Sequence, residues 1–103
     1  MLACVCLNPS FDRTVSLRSF TAGDVNRVLS ARQDVGGKGI NVAITARRLG
    51  IASCVLGCAG KNGIDAVRRK LDGEQVAHVF LPVNGDVRTN MKIVPQDGTG
   101  VTE

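Results

Sequence analysis

The stretch GGKGINVAITARRLGIASCVL, residues 36 to 56, sets the fold class of this chain. Its segment INVAITARRL, residues 40 to 49, spaces its apolar residues as one stripe of a helix and places two arginines in the last turn, where the helix dipole favours cations. Gly50 follows as a stop signal, and the apolar run IASCVL is typical of a buried strand. The sequence therefore predicts a helix followed by a strand. The stripe consists of Ile40, Ala43 and Ile44.

Further strands and one further helix are predicted on either side of this stretch. LACVCL, residues 2 to 7, is typical of a strand buried on both faces, and VAHVFL, residues 76 to 81, of another strand. Between them, NGIDAVRRKLDG at 62 to 73 indicates a helix capped by Asn62. This order predicts a right-handed parallel β-α-β series. The expected core stripe of the second helix is Ile64, Val67 and Leu71.

Two segments alternate apolar and polar residues instead, as half-buried antiparallel strands do. The first runs from Thr14 to Val35 with a turn at TAGD, and Leu29 and Ala31 are expected on its apolar face. The second is DVRTNMKIV at 86 to 94, after which PQDGTG turns the chain towards a partner strand at VTE. We expect the first segment to form a hairpin or lid inserted between the first strand and the first helix.

Size and composition indicate one small globular domain. The chain has 103 residues, of which 44% are hydrophobic and 21% charged, unlike a disordered sequence. A net charge of +4 favours anionic partners without choosing among them. Three Phe and no Tyr or Trp leave little surface for base stacking, so we expect no nucleic-acid binding.

The cysteines and the N-terminal segment carry no signal for metal or membrane binding. Cys4 and Cys6, like Cys54 and Cys58, lack the C-x2-C spacing of structural zinc sites and are predicted to be small buried apolar residues. No stretch approaches the roughly 18 apolar residues of a membrane span, and the start of the chain lacks the pattern of a signal peptide. The expected location is cytoplasmic, away from membranes.

The glycine-rich turn matches neither common nucleotide-binding motif. A Walker A loop needs Ser or Thr after its lysine, but Gly39 follows Lys38. A dinucleotide fingerprint would need Gly or Ala where Val42 stands. Glycines at the positive end of a helix can still expose N–H groups to an anion or a polyol, with Lys38 and Asn41 nearby. Taken alone, such a turn is more often plain loop chemistry than a ligand site.

Polar side chains elsewhere have two interpretations that the residues alone leave open. Arg88, Asn90 and Lys92 share one face of a predicted strand, which is either a phosphate or sugar site or a solvated face. Asp12 follows the first strand, where α/β sheets place ligands, and is either a sugar ligand or a loop acid. His78, the one histidine, lies in an apolar run and is expected to be packed or partnered.

Five segments in order, NPSFDRTV, GDVNRV, GGKGINVA, GCAGKNG and VRTNMKI, resemble the start of the ribokinase-like (pfkB-type) carbohydrate kinases. They are most similar to the sugar-phosphate branch of 1-phosphofructokinase and tagatose-6-phosphate kinase. The resemblance implies an α/β fold with a three-layer sheet and a small β-lid. Residues 1 to 103 would form the N-terminal portion of the kinase domain, with lid strands at about 12 to 35 and 86 to 103.

The activity implied by the resemblance is transfer of the γ-phosphate of ATP, with Mg²⁺, to fructose 1-phosphate or tagatose 6-phosphate. Sugar hydroxyls would be bound by Asp12, Asn41 and the backbone of Gly36 and Gly37, and Asn90 would also contact the substrate. The existing phosphate would be held by Lys38, Arg88 and Arg27, the last of these in trans within a homodimer paired through the lid. We expect no metal site and no catalytic residue in this chain.

The resemblance covers only the start of such enzymes, whose catalytic Asp and ATP site lie further along the chain. We therefore expect this chain alone to be inactive and to expose sheet edges and apolar faces that favour self-association. One alternative is a non-catalytic sugar-phosphate sensor or an assembly fragment. Another keeps the family but changes the acceptor to a free sugar or a nucleoside.

Overall fold

The computed structural model describes all 103 residues, which form six strands and two helices in two compact units. Unit 1 comprises Met1–Ser10 and Val35–Arg88, and unit 2 comprises Phe11–Asp34 and Thr89–Glu103. The fold is α/β, as the sequence predicts. The elements are β1 (Leu2–Cys6), β2 (Ser10–Leu17), β3 (Val28–Gly36), α1 (Lys38–Arg48), β4 (Ser53–Asn62), α2 (Ile64–Gly73), β5 (Ala77–Asp86) and β6 (Arg88–Pro95).

Unit 1 is built on a three-stranded sheet in the order β1-β4-β5, with both pairs parallel. In the register of the sheet, Cys4 lies beside Val55, and Val55 lies beside His78. Helix α1 packs against β1 and β4, and α2 packs against β4 and β5. The predicted parallel β-α-β series is therefore confirmed.

Helix α1 begins two residues before the predicted start, at Lys38, because the preceding Gly37 serves as its N-cap. The Asn41 N–H donates to the Gly37 carbonyl over 2.9 Å, which closes the first turn. The predicted apolar stripe is confirmed, since Ile40, Ala43 and Ile44 are buried. Burial of this stripe against the sheet fixes the helix and, with it, the glycine turn at its start.

Helix α2 also buries its predicted stripe, but the predicted cap is wrong. Its N-cap is Gly63, which has a φ of 112° and makes no side-chain cap hydrogen bond. The Asn62 side chain instead donates to Asp86 Oδ1 over 2.8 Å and so joins the ends of β4 and β5. Glycine adopts this positive φ with little strain, which frees Asn62 for the cross-strand contact.

One face of the parallel sheet is covered by the helices and the other is uncovered. Cys4 and Cys6 share the covered face and are buried, as predicted, whereas Cys54 and Cys58 are only partly buried. The prediction that the first strand is buried on both faces is wrong, because Val5 is 63% exposed. In the register of the sheet, Leu56 lies beside Val5, and Val79 lies beside Leu56. Leu56 and Val79 are 45% and 58% exposed, so the three residues form one exposed row across the uncovered face. Right-handed connections between consecutive parallel strands place both helices on one side.

Unit 2 is a second three-stranded sheet in the order β3-β2-β6. Its buried apolar residues include Val15 and Leu17 of the central strand. The expected burial of Leu29 and Ala31 is wrong, because both are exposed. After β6 the chain turns back, and Thr102 forms an antiparallel bridge with Ile93 at the predicted partner segment. Neither helix of the chain is long and apolar enough to cross a membrane.

Candidate functional site

The glycine turn of unit 1 lies against the end of β1. A Cβ atom at Gly37 would lie 2.9 Å from Cys6 Sγ and 3.5 Å from Pro9 Cα, and Gly37 has a φ of 135°. Both the conformation and the close approach favour glycine at this position. The turn is therefore fixed at the carboxyl end of a parallel strand, the edge at which α/β sheets bind ligands.

The backbone N–H groups at the start of α1 donate no capping hydrogen bond to a side chain. The N-cap makes no side-chain hydrogen bond, and the first turn contains no acidic residue. Lys38 and Asn41 are exposed in this turn, while Gly36 is buried. Backbone N–H groups at a helix start, with an ammonium and an amide beside them, can bind an anion or a hydroxyl group. The structure places these four predicted residues, Gly36, Gly37, Lys38 and Asn41, on one continuous segment.

Arg88, a fifth predicted residue, belongs to unit 1 and is exposed at the start of β6. The chain before it is fixed by the ends of β4 and β5, since the Val87 N–H donates to the Asn62 carbonyl over 3.0 Å. Asn62 also bonds Asp86, as described above. Sequence reasoning assigned Asn62 to the helix and missed this role. The available signal was that the segments of β4 and β5 end in KN at 61 to 62 and in GD at 85 to 86.

Unit 2 brings together two of the predicted residues. Asn90 Nδ2 donates to Asp12 Oδ1 over 3.1 Å, which joins β6 to the central strand β2. Both residues line a cavity of about 620 Å³ within unit 2. Side chains of both charges surround them in this cavity, which can therefore both donate and accept hydrogen bonds. Its other lining residues are Arg13, Thr14, Arg32, Asp34, Thr89, Met91, Lys92 and Glu103.

Arg27 lies in unit 2 but lines a different cavity there, of about 340 Å³. The loop before it is held by Asn26, whose amide donates to the carbonyls of Thr21 and Asp24 over 2.9 and 3.0 Å. The Thr21 N–H donates back to Asn26 Oδ1 over 2.9 Å. Sequence reasoning missed Asn26, although its place in GDVNRV was a usable signal.

His78 has a specific partner, as predicted, because its Nε2 lies 2.8 Å from Asp72 Oδ1. None of the four cysteines forms a disulfide bond. No group of three or more His, Cys, Asp and Glu side chains in the chain is arranged to hold a metal ion.

One ion pair of unit 1 shifts the pKa values of both its members. Arg48 Nε donates to Glu74 Oε2 over 3.1 Å, and a second contact joins Arg48 Nη2 to Glu74 Oε1. The hydrogen bond from Arg48 lowers the pKa of Glu74, and the same bond raises the pKa of Arg48. The pair links the end of α1 to the segment after α2, and its role is structural.

Comparison with known proteins places these residues in a family. A profile described as pfkB family carbohydrate kinase matches residues 6–103. The chain belongs to this family. The resemblance found in the five segments is therefore confirmed, and so is the ribokinase-like fold class.

Curated relatives are 1-phosphofructokinases. That of Bacillus subtilis (strain 168) is 37% identical over 101 residues, which are 98% of this chain and 33% of the relative. That of Rhodobacter capsulatus is 38% identical over 93 residues, which are 90% of this chain and 29% of the relative. The chain thus spans about a third of the length of the curated relatives that it matches.

Solved structures agree with this assignment. A candidate phosphofructokinase from Staphylococcus aureus has a TM-score of 0.89 and 30% identity, covering 100% of this chain and 33% of that one. Phosphofructokinase-2 from Escherichia coli, solved with fructose-6-phosphate, has a TM-score of 0.86 over 98% of this chain and 33% of its own. At 21% identity, the second likeness concerns the fold alone.

Proposed function

We propose that this chain supplies the acceptor-binding part of an ATP-dependent sugar-phosphate kinase. The acceptor is a ketose phosphate, fructose 1-phosphate or tagatose 6-phosphate. The observation that carries this proposal is the hydrogen-bonded pair of Asp12 and Asn90 in a polar cavity, in a chain whose curated relatives are 1-phosphofructokinases. Carboxylate and amide groups together suit the hydroxyls of a sugar, which both donate and accept.

The remaining residues have the roles that the resemblance implies. Asn41 and the backbone N–H groups of Gly36 and Gly37 bind sugar hydroxyls. Lys38 and Arg88 bind the phosphate that the substrate already carries, because charge-assisted hydrogen bonds are the strong ones. Arg27 joins them from the partner subunit of a homodimer formed through unit 2. The resemblance implies that the strands of unit 2 form the small β-lid of the fold.

ATP and Mg²⁺ belong to the complete enzyme in this proposal. The residues of this chain do not fit a magnesium site, since no cluster of three candidate ligands exists among them. Phosphoryl transfer depends on positioning and charge stabilisation around the transferred group, so we propose that this chain alone has no kinase activity.

A second candidate function is sugar-phosphate binding without catalysis. It is favoured by the polar cavity of unit 2, in which Asp12 and Asn90 offer hydrogen-bonding groups to a sugar. In that case the uncovered sheet row of Val5, Leu56 and Val79 would favour assembly with another copy of the chain.

Calorimetry on the 103-residue chain and kinetics on the longest reading frame that contains it test both candidates. We expect fructose 1-phosphate or tagatose 6-phosphate to bind more tightly than fructose. Asp12→Ala should weaken binding about tenfold or more, as expected for loss of a hydrogen bond to a charged group. Asp65→Asn, an exposed carboxylate change on α2, is the matched control.

The two measurements separate the candidates. ATP-dependent phosphorylation by the longer protein supports the kinase. Binding of a sugar phosphate without any transfer supports the non-catalytic module. If no ketose phosphate binds and no transfer occurs with any such acceptor, both proposals are wrong.

A further inference from the structure

Two of the residues proposed to bind the acceptor phosphate lie at one edge of the sheet of unit 1. Lys38 comes directly after the glycine turn that lies against the end of β1, and Arg88 comes shortly after the end of β5. The strand β4 lies between β1 and β5 in the sheet. The end of β4 is therefore next to the segment that carries Arg88, and its last residue, Asn62, contacts that segment.

The register between β4 and β5 shifts by one residue just before both strands end. Gly60 lies beside Val83. The next pair is Asn62 beside Asp86, so one residue of β4 faces two residues of β5. Such a bulge turns the following side chains of the longer strand to the opposite face. Val83 is exposed on the uncovered face, whereas Val87, which has the same parity but follows the shift, is buried. The shift thus turns Val87 into the protein and the next side chain towards the surface.

Glycines on both strands permit this geometry. Gly85 lies in the longer stretch of β5 and has a φ of 120°, which favours glycine. A Cβ atom at Gly60 would lie 2.5 Å from the Asp86 carbonyl carbon and 2.7 Å from the Gly85 carbonyl oxygen. The two backbones therefore approach closely where the register shifts, and a side chain at Gly60 would push the segment before Arg88 away.

Asn62 holds the segment after the shift through two different groups. Its side-chain amide donates to Asp86 Oδ1 over 2.8 Å, and its carbonyl accepts from the Val87 N–H over 3.0 Å. Because both residues before Arg88 are hydrogen-bonded and Val87 is also buried, the point at which the Arg88 side chain begins is fixed. A guanidinium binds phosphate best through two parallel hydrogen bonds, which require a particular orientation. A fixed backbone therefore favours binding by Arg88.

We propose that Asn62 is a positioning residue for Arg88 in binding of the acceptor. Asn62 does not touch the substrate, and its side chain acts through Asp86 by holding the segment that carries the guanidinium. Phosphate binding then requires less ordering of this segment, which increases affinity. The inference rests on the proposed function for the role of Arg88 and adds to it two residues that the resemblance leaves without a role.

A double-mutant cycle separates positioning from general stabilisation. Asn62→Ala should weaken binding of fructose 1-phosphate to the 103-residue chain about fivefold, the size expected for one hydrogen bond. In an Arg88→Ala background the same change should have no further effect, because Asn62 acts through that guanidinium. Calorimetry measures all four affinities. In the longer reading frame, Asn62→Ala should raise KM for the sugar phosphate by the same factor and leave kcat and KM for ATP unchanged.

Exchange of the two side chains gives a second test, which also serves if Asn62→Ala does not fold. Asn62→Asp places two carboxylates together and should weaken binding at least as much as Asn62→Ala. Addition of Asp86→Asn restores one donor and one acceptor in reversed order, so the exchanged pair should bind like wild type. The matched control is Gln96→Ala, which removes an exposed amide whose Nε2 donates to Ser16 Oγ over 3.2 Å. Circular dichroism verifies that each variant is folded.

The outcomes distinguish this inference from the proposed function. A loss that depends on Arg88 and is recovered in the exchanged pair supports the inference. Binding by Asn62→Ala equal to wild type, or an equal loss in the Arg88→Ala background, overturns the inference and leaves the kinase proposal standing. Binding by Arg88→Ala equal to wild type overturns the inference together with the phosphate role of Arg88. If wild type binds no ketose phosphate, the inference and the proposed acceptor are both wrong.

Discussion

At Gly39 a single missing methyl group allows helix α1 to approach β1. A Cβ atom there would lie 2.5 Å from the Val5 carbonyl oxygen and 3.3 Å from Cys6 Cβ. The neighbouring atoms belong mostly to backbone, which cannot move without displacing the strand. Gly39 therefore fixes how closely the first turn of the helix approaches the sheet.

We predict that Gly39→Ala destabilises the chain although it lies in a helix, where alanine is normally favoured by about 1 kcal/mol. Overpacking against the strand should cost about 1–3 kcal/mol, a loss larger than the helical gain. Gly73→Ala in α2 is the control, because a Cβ atom there meets nothing within 4 Å. Urea unfolding measures both variants. A Gly39→Ala variant as stable as wild type would contradict the close contact.

For individual residues, the sequence indicated which side chains are candidates for the site but not which partners they contact. It placed Asp12 and Asn90 on the candidate list, but their hydrogen bond spans 78 positions in sequence, and no local pattern encodes such a distance. It assigned Asn62 to a helix cap because Asn is a good cap in isolation. The competing partner, Asp86, becomes available only when β4 and β5 pair.

At the scale of elements, one ion pair connects the ends of the two helices. Glu74 follows α2 and accepts a hydrogen bond from Arg48 at the end of α1. Lys70 Nζ lies 3.6 Å from Glu74 Oε1. The Arg47 guanidinium adds a hydrogen bond to the Gln75 carbonyl over 3.2 Å. These contacts join the ends of the two helices that pack on the sheet.

We predict that Glu74→Gln lowers the urea midpoint at pH 7 and that this difference shrinks in acid. Because the folded state lowers the pKa of Glu74, its contribution is fully present above the ordinary value of 4.5 and is lost as the pH falls through the lowered pKa. Urea unfolding between pH 7 and pH 3 measures this change. Asp65→Asn, which breaks a pair at 3.6 Å, should have a smaller effect. A difference that is the same at every pH would contradict this assignment.

Element boundaries were predicted well where the apolar residues follow a regular period. They were predicted poorly where pairing between strands determines how far a strand runs. The start of α1 was predicted within two residues, because the apolar stripe is regular. The predicted strand at 51 to 56 is observed as Ser53–Asn62, and that at 76 to 81 as Ala77–Asp86. Both strands are longer than predicted at their carboxyl ends, where the added residues are largely polar or glycine. These residues are in strand conformation because β4 and β5 pair with each other.

At the scale of the whole molecule, the two units differ in how much apolar surface they bury. Unit 1 contains the four largest fully buried side chains, Ile40, Leu71, Val55 and Val67. In unit 2, strand β3 is exposed along Val28–Asp34. Local stability follows the density of buried apolar contacts, so the two units should open at different free energies.

We predict that amide hydrogens of β3 exchange with solvent much faster than those of β4 and α1. Hydrogen–deuterium exchange of the 103-residue chain at neutral pH measures this difference segment by segment. Val28–Gln33 should lose protection first, because its strand lies at the edge of a sheet with little buried surface. Equal protection of β3 and β4 would show that the chain opens as one cooperative unit.

The division into units also affects recombination between homologous genes. Unit 2 consists of two segments separated by Val35–Arg88, so its three strands are not encoded in one continuous block. A single crossover anywhere within that interval pairs β2 and β3 of one parent with β6 of the other. An exchange of the intervening segment alone, which keeps Asp12 matched to its own Asn90, therefore requires two breakpoints, one on each side of that segment.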